Sequence, residues 1–253
     1  MRPRTRALVG EVLQRFVEQQ RPKLLGRSMD EIRQAYPFHR LIFPDEAILA
    51  ARLERSIVTS MGTDLYPSLA AAISRDRFQE VGLGRVIEGA VNDAACNMIE
   101  QIVTELRAPS RGRPTRRRPD RVSEVADILA SRGGGASQRS VTADLYIGDF
   151  EGGPLFIELK TPLPNLDIAA ESKRKMLYFL AIMSRQNVTG AKAFLGLTYN
   201  PYLTRAKYGH SFTRRIMDME NEVLIGQELW DYIGGAGTYT ELLGIIDQFK
   251  SVL

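Results

Sequence analysis

The chain has 253 residues, enough for one large domain or a domain with an elaboration, and its 44% apolar and 25% charged content is ordinary for a globular protein. A single cysteine, Cys96, excludes an intramolecular disulfide, and with only His39 and His210 there is no Cys/His zinc cluster to expect. No apolar run approaches the roughly 20 residues needed to cross a bilayer, so no membrane partner is expected, and the single cysteine suits a cytoplasmic setting; the net charge of +4 is mild, and its distribution matters more than its sum.

Residues 1–75 read as a helical N-terminal region. Leu8, Val12, Leu13, Phe16 and Val17 recur at helical spacing between Arg4 and Gln19. Glu11 and Gln14 fall inside this pattern, which therefore reads as a packing helix and not as a secretory leader. Ser28 to Glu31 opens a short helix ending at Ala35. Pro37 to Phe43 is a loop in which His39 has no acidic or nucleophilic companion, so its role reads as structural. Pro44-Asp45 opens a helix from Glu46 to about Met61, and Tyr66 to Arg75 forms another.

From residue 76 to 253 the pattern suggests a second unit with a helical tail. Phe78 to Leu106 gives the longest helical pattern in the chain, with Val86, Ile87, Ala90, Val91, Ala94, Met98, Ile102 and Leu106 on one face and Gly82 to Gly84 as a kink or a start. Arg107 to Arg121 then holds seven arginines, one aspartate, three prolines and a glycine. That composition predicts a flexible basic loop in which Arg116, Arg117 and Arg118 track the phosphates of a nucleic acid. The alternative is a solvated linker without a partner.

Ser123 to Ser131 reads as a short amphipathic helix, and the Gly133 to Gly135 loop leads into a strand starting at Ser140 or Val141. Within Ala143 to Lys160, Gly152 and Gly153 mark a tight turn between two strands. In the second strand Leu155, Ile157 and Leu159 face one way, and Phe156, Glu158 and Lys160 the other. The turn brings Asp144 toward Glu158. Two carboxylates at close range repel unless a cation lies between them, so they form a hard oxygen site suited to Mg²⁺. Lys160 shares their face and is placed to orient a water or neutralise a phosphate.

Pro162 and Pro164 end this strand. Asp167 caps a helix from Ile168 to about Arg185, whose Lys173 is placed to reach a phosphate, with an ordinary surface lysine as the alternative. Ala191 to Tyr199 is a third strand. The segment after it, with Asn200, Arg205, Lys207, Arg214 and Arg215 among aromatics, is the candidate for base and phosphate contact. The tail from Glu222 to Leu253 carries Trp230 and a Gly234 to Gly237 turn between two helices, and offers either core packing or a subunit interface.

Asp144, Glu158 and Lys160 resemble the signature of the PD-(D/E)xK nuclease superfamily, an acid on one strand and acid-x-Lys on the next; Ala143 stands where the name-giving proline would be. The resemblance implies an α/β fold with a mixed central β-sheet flanked by helices. It implies Mg²⁺, with Mn²⁺ as a substitute, held by Asp144, Glu158 and the Leu159 carbonyl, and Lys160 acting on the attacking water. Glu88, on the long predicted helix, would add a further metal-shell or water-holding group, against the alternative of a solvated helix glutamate. The Lys160 to Asn165 link, the Tyr199 to Tyr202 turn and the tail are similar to features of Type II restriction endonucleases cutting GGNCC-like sites. That implies site-specific cutting of double-stranded DNA at a short palindrome, a homodimer, and a companion DNA methyltransferase. Two other readings use the same residues: a repair or recombination nuclease recognising DNA structure, and a non-catalytic DNA-binding module with an accidental acid-x-Lys.

Overall fold

In the computed structural model, residues 1–25, 29–108 and 117–250 are described. Five strands form one sheet in the order β1-β2-β3-β4-β5. β1 (Val81–Asn92), β2 (Ala136–Ile147) and β3 (Leu155–Lys160) are antiparallel neighbours. β4 (Lys192–Leu197) and β5 (Val223–Ile225) continue the sheet in parallel with β3. This is the mixed sheet expected from the sequence.

Two hydrophobic cores lie on its two faces. On one, α5 (Asp93–Arg107), α6 (Arg121–Ala130), α7 (Leu166–Arg185) and α8 (Ser211–Ile216) pack Ile99, Ile102, Ile128, Phe179, Ile182 and Ile216 around Phe156 of β3. On the other, α1 (Pro3–Leu25), α4 (Tyr66–Ser74), α10 (Gln227–Gly234) and α11 (Thr238–Lys250) pack Val9, Phe16, Leu69, Ile73, Trp230 and Leu242 against Leu145, Ile157 and Leu159. Within residues 1–75, α1 and α4 therefore bury their apolar faces in the same core as the strands. α2 (Met29–Ala35) and α3 (Asp45–Ser60) precede α4, and α9 (Met219–Glu222) leads into β5.

The expected helix from Phe78 to Leu106 is a strand followed by a helix. Val86, Ile87, Ala90 and Val91 fit helical spacing, but Ile87, Gly89 and Val91 also alternate, and all three are buried on β1. Pairing with β2 from Val81↔Ile147 to Asn92↔Ala136 decides between the two. Gly89 fits this because a Cβ there would stand 2.6 Å from Ile182 of α7. The helix starts one residue beyond the strand, where Asn92 caps it by accepting from the Ala95 N–H at 2.7 Å.

Two smaller differences follow the same logic. α7 is capped by Asn165, whose Oδ1 accepts from Ile168 N at 2.8 Å, and not by Asp167, which lies inside its first turn. β5, only three residues long, carries too little pattern to be read from sequence. Trp230 was a candidate for a subunit interface, but it is 2% exposed and donates its indole N–H to the Thr198 carbonyl at 2.8 Å. Among the described residues, no helix is long and apolar enough to cross a membrane.

Candidate active site

Asp144 stands where the sheet divides. β2 pairs with β3 only from Leu145↔Ile157 onward, so Asp144 is the first residue past the paired segment. Val141 and Ala143 belong to the core under α5 and α7, whereas Leu145 and Ile147 belong to the core under α1 and α4. Simple alternation would have kept all four on one side, so β2 rotates across Asp144 and turns that carboxylate toward the end of β3. The turn that returns the chain is made by Gly152 and Gly153, with φ of +81° and +146°. A Cβ on Gly153 would meet the Thr189 carbonyl oxygen at 2.4 Å, so no other residue fits there.

Three oxygens converge on one nitrogen. Lys160 Nζ lies 2.9 Å from Asp144 Oδ2, 2.8 Å from Glu158 Oε1 and 3.0 Å from the Leu159 carbonyl. Asp144 Oδ2 also accepts the Leu159 N–H at 2.9 Å, which fixes the carboxylate against β3. Glu158 is 1% exposed and doubly partnered by cations: beside Lys160, Lys175 of α7 donates to Oε1 at 2.9 Å and Oε2 at 3.2 Å. Burial works against the charge on Lys160, but Glu158 and Asp144 outweigh it and hold the ammonium above the ordinary lysine pKa.

The donor set fits a hard divalent cation. Two carboxylates and a main-chain carbonyl are the oxygen types that Mg²⁺ takes, and here they already surround a positive centre. Among the described residues there is no group of three or more His, Cys, Asp or Glu side chains able to hold a metal ion, so the third protein donor in this set is the Leu159 carbonyl.

Glu88 does not join them. It is exposed on β1, not on a helix, and pairs with Ser140, four residues along β2 from Asp144. That is about 13 Å along the strand at 3.3 Å per residue. Lys173 does not reach a phosphate either. It is fully buried, with Nζ 2.5 Å from Glu222 Oε2 and against Glu124, and presents nothing to a phosphate. Lys175, two residues further along α7, is the lysine that reaches the site. Sequence placed three cations, Lys173, Arg174 and Lys175, in a row but gave no means of telling which faced β3.

Several of the basic residues expected on DNA hold the fold together. Arg205 binds Glu228 and the carbonyls of Val223 and Met219. Arg215 binds the carbonyls of Leu106, Arg107 and Ala108 at the end of α5, and Arg214 donates to the Tyr208 carbonyl at 3.2 Å. Arg117 is drawn onto α5 and α6 by Glu105 at 3.4 Å and Asp127 at 2.6 Å, so it is not part of a free loop. Arg118 and Lys207 are exposed, and Arg116 lies outside the described residues. Asn200 Oδ1 accepts from Tyr202 N at 2.9 Å and shapes the turn after β4, lining a cleft of about 580 Å³ with Leu203, Gln227 and Asp231.

A mixed sheet that splits at an acid, with acid-x-Lys on the neighbouring strand, is nuclease architecture, and comparison with known proteins gives the class. The chain is 30% identical over 260 residues to the Type II restriction enzyme HgiCII of Herpetosiphon aurantiacus, covering 96% of this chain and 92% of that protein. It is 29% identical to HgiBI of the same organism over 262 residues, covering 97% and 93%. The chain is a Type II restriction endonuclease, a site-specific deoxyribonuclease. The family model described as Type II restriction endonuclease, HinfI, matches residues 1–250, and the chain belongs to that family, N-terminal helices included. No solved structure matches it.

Proposed function

We propose that this enzyme hydrolyses phosphodiester bonds of double-stranded DNA at a short palindromic site, using Mg²⁺ held by Asp144, Glu158 and the Leu159 carbonyl, with Mn²⁺ as a substitute. The observation that carries the reading is the gathering of those three oxygens within 3.0 Å of the single Lys160 nitrogen. When bound, the divalent cation supplies a lowered pKa for a water and charge stabilisation on the phosphate.

The chain's own groups do the rest. Asp144 is fixed by the Leu159 N–H and Glu158 by Lys175, so the two carboxylates hold position without a substrate to order them. Lys160, tethered one residue from Leu159, orients the attacking water and offsets the charge that develops on the phosphate. The water oxygen forms a new bond to phosphorus, the bond to the leaving oxygen breaks, the water's proton passes to solvent, and the leaving oxygen takes a proton from solvent. No side chain forms a covalent intermediate. The bland reading, an accidental acid-x-Lys on a wet strand, fits poorly with a Glu158 that is buried and doubly paired.

The test uses purified protein and unmodified plasmid. Discrete fragments with Mg²⁺ or Mn²⁺, and none with EDTA, are expected; cutting confined to branched or damaged DNA would shift the reading to a structure-specific nuclease, and equal cutting in EDTA would overturn the cation.

A homodimer is proposed as well, in the cytoplasm beside a companion DNA methyltransferase. Among the described residues the chain carries one set of cutting residues, and a duplex has two strands related by the two-fold axis of a palindrome. Trp230 is buried and does not offer that surface; the apolar side chains proposed to meet the second copy are Phe38, Leu41 and Ile42, exposed at 80%, 80% and 79%. Light scattering is expected to give twice the chain mass, and Leu41→Lys with Ile42→Lys to return it to one; a monomeric wild type would rule the dimer out.

A further inference from the structure

The cleft into which Asp144 and Lys160 open has a second wall, and nothing assigned so far uses it. Asp144, Leu159, Lys160 and Thr161 line the sheet side; Val58, Thr59, Gly62, Thr63 and Pro67 line the other, enclosing about 410 Å³. At this wall the chain departs from regular helix. α3 runs into a single π turn, Met61–Leu65, before α4 begins with Pro67 in its first turn. A π turn fits an extra residue into the turn and pushes the backbone outward, a distortion concentrated at functional sites.

Gly62 lines the cleft opposite Thr161. A glycine in a helical run costs about 1 kcal/mol relative to alanine, yet packing does not demand it here: an added Cβ would meet Thr161 Cγ2 at 3.9 Å, an ordinary contact. Space in the cleft is what the missing side chain preserves. Anything longer than a methyl group would grow toward Thr161, the neighbour of Lys160.

Along the same face, Ala51, Arg55, Thr59 and Thr63 are all exposed at four-residue spacing, forming a stripe that leads down α3 into the cleft. Thr59 and Thr63 turn their hydroxyls inward to the carbonyls of Arg55 at 2.8 Å and Thr59 at 3.2 Å, leaving a low surface of methyl groups and backbone. Arg55 lies one helical turn, about 5–6 Å, above Thr59. Its neighbour Glu54 lies near Tyr199, past the end of β4.

We propose that the π turn seats the scissile DNA strand, whose sugar-phosphate backbone runs between Gly62 and the end of β3 while Arg55 contacts a phosphate next to the one that is cut. This rests on the nuclease reading above. It gives the N-terminal helices a part in substrate positioning, with Gly62 acting by clearance and Arg55 by charge.

The experiment compares Gly62→Ala, Gly62→Leu and Arg55→Gln by single-turnover cleavage, DNA affinity from fluorescence anisotropy, and Mn²⁺ affinity from calorimetry without DNA. Loss of cleavage is expected to grade with side-chain size, reaching about 100-fold for Gly62→Leu, the scale of a misplaced substrate, with Mn²⁺ affinity held. Arg55→Gln is expected to weaken DNA binding about 10-fold, one charge-assisted phosphate contact, and to lower the salt slope by about one. Gly62→Leu cutting as fast as wild type would overturn the proposal. So would a loss of Mn²⁺ binding in that variant, which would make Gly62 a support of the carboxylates. If Gly62→Leu fails to fold, an unchanged affinity and salt slope in Arg55→Gln overturn it alone. Wild type that neither cuts nor binds Mn²⁺ would instead defeat the underlying nuclease reading.

Discussion

Asp144→Asn is expected to slow DNA cleavage by about 10³-fold, the ~4 kcal/mol of transition-state stabilisation that a lost cation contact removes. The substitution suits the site because it is nearly isosteric. The asparagine oxygen can still accept the Leu159 N–H that Asp144 accepts at 2.9 Å, so β3 keeps its place while one negative charge disappears. Thermal unfolding is expected to stay near that of wild type, and DNA affinity to hold or rise, since a carboxylate facing a polyanion has gone. Lys160→Met makes the complementary case. It removes the ammonium 2.9 Å from Asp144 and 2.8 Å from Glu158, leaving the two carboxylates to repel. Cleavage is expected to fall by a similar factor, but Mn²⁺ affinity to be retained or improved, whereas Asp144→Asn weakens it. Calorimetry separates the two. Normal cutting by either variant, or the same Mn²⁺ affinity in both, would remove the assigned roles.

How much of this was legible in the sequence follows from the range of each interaction. The hairpin was legible because all its determinants are local: alternation over six residues, two glycines at a turn, and acids on both sides of it. Asp144, Glu158 and Lys160 meet, as that pattern implied. Glu88 went wrong with its element, since Val86, Ile87, Ala90 and Val91 satisfy a helix and a strand alike and only pairing with β2, some fifty residues away, decides. The arginines were read from local charge, but their partners are distant in sequence. Arg215 reaches carbonyls of residues 106–108, and Arg205 reaches Met219 and Glu228; no window along the chain contains both ends of such contacts. The same holds for the cleft, whose far wall comes from the end of α3, the π turn and the start of α4, about a hundred residues before the lysine it faces.

The lysine misread on α7 leads to the second large effect, which is on stability. Lys173→Met is expected to cost about 3–5 kcal/mol, the usual penalty for removing one partner of a buried ion cluster. Lys173, Glu124 and Glu222 are 0%, 0% and 1% exposed, and come from α7, α6 and α9, so the ammonium ties three elements at one point. Asp120 and Asp218 donate backbone N–H groups to the two glutamates at 3.3 Å and 2.9 Å, but these bonds do not neutralise two charges once the lysine has gone. Adding Glu124→Gln and Glu222→Gln to Lys173→Met is therefore expected to recover most of the loss in denaturant unfolding. The pH dependence has a definite sign. Burial already raises the Glu124 carboxyl above its ordinary pKa, Lys173 opposes that rise and Glu222 adds to it, so removing the lysine leaves the group higher still. A carboxyl whose folded pKa lies above its unfolded value takes up a proton on the folded side first, and falling pH then favours folding. The deficit of Lys173→Met is thus expected to shrink as pH falls toward the ordinary carboxylate range and to return as pH rises. DNA affinity of the variant, measured where it remains folded, should match wild type. A tenfold weaker complex with undiminished stability would mean that Lys173 reaches the phosphates after all.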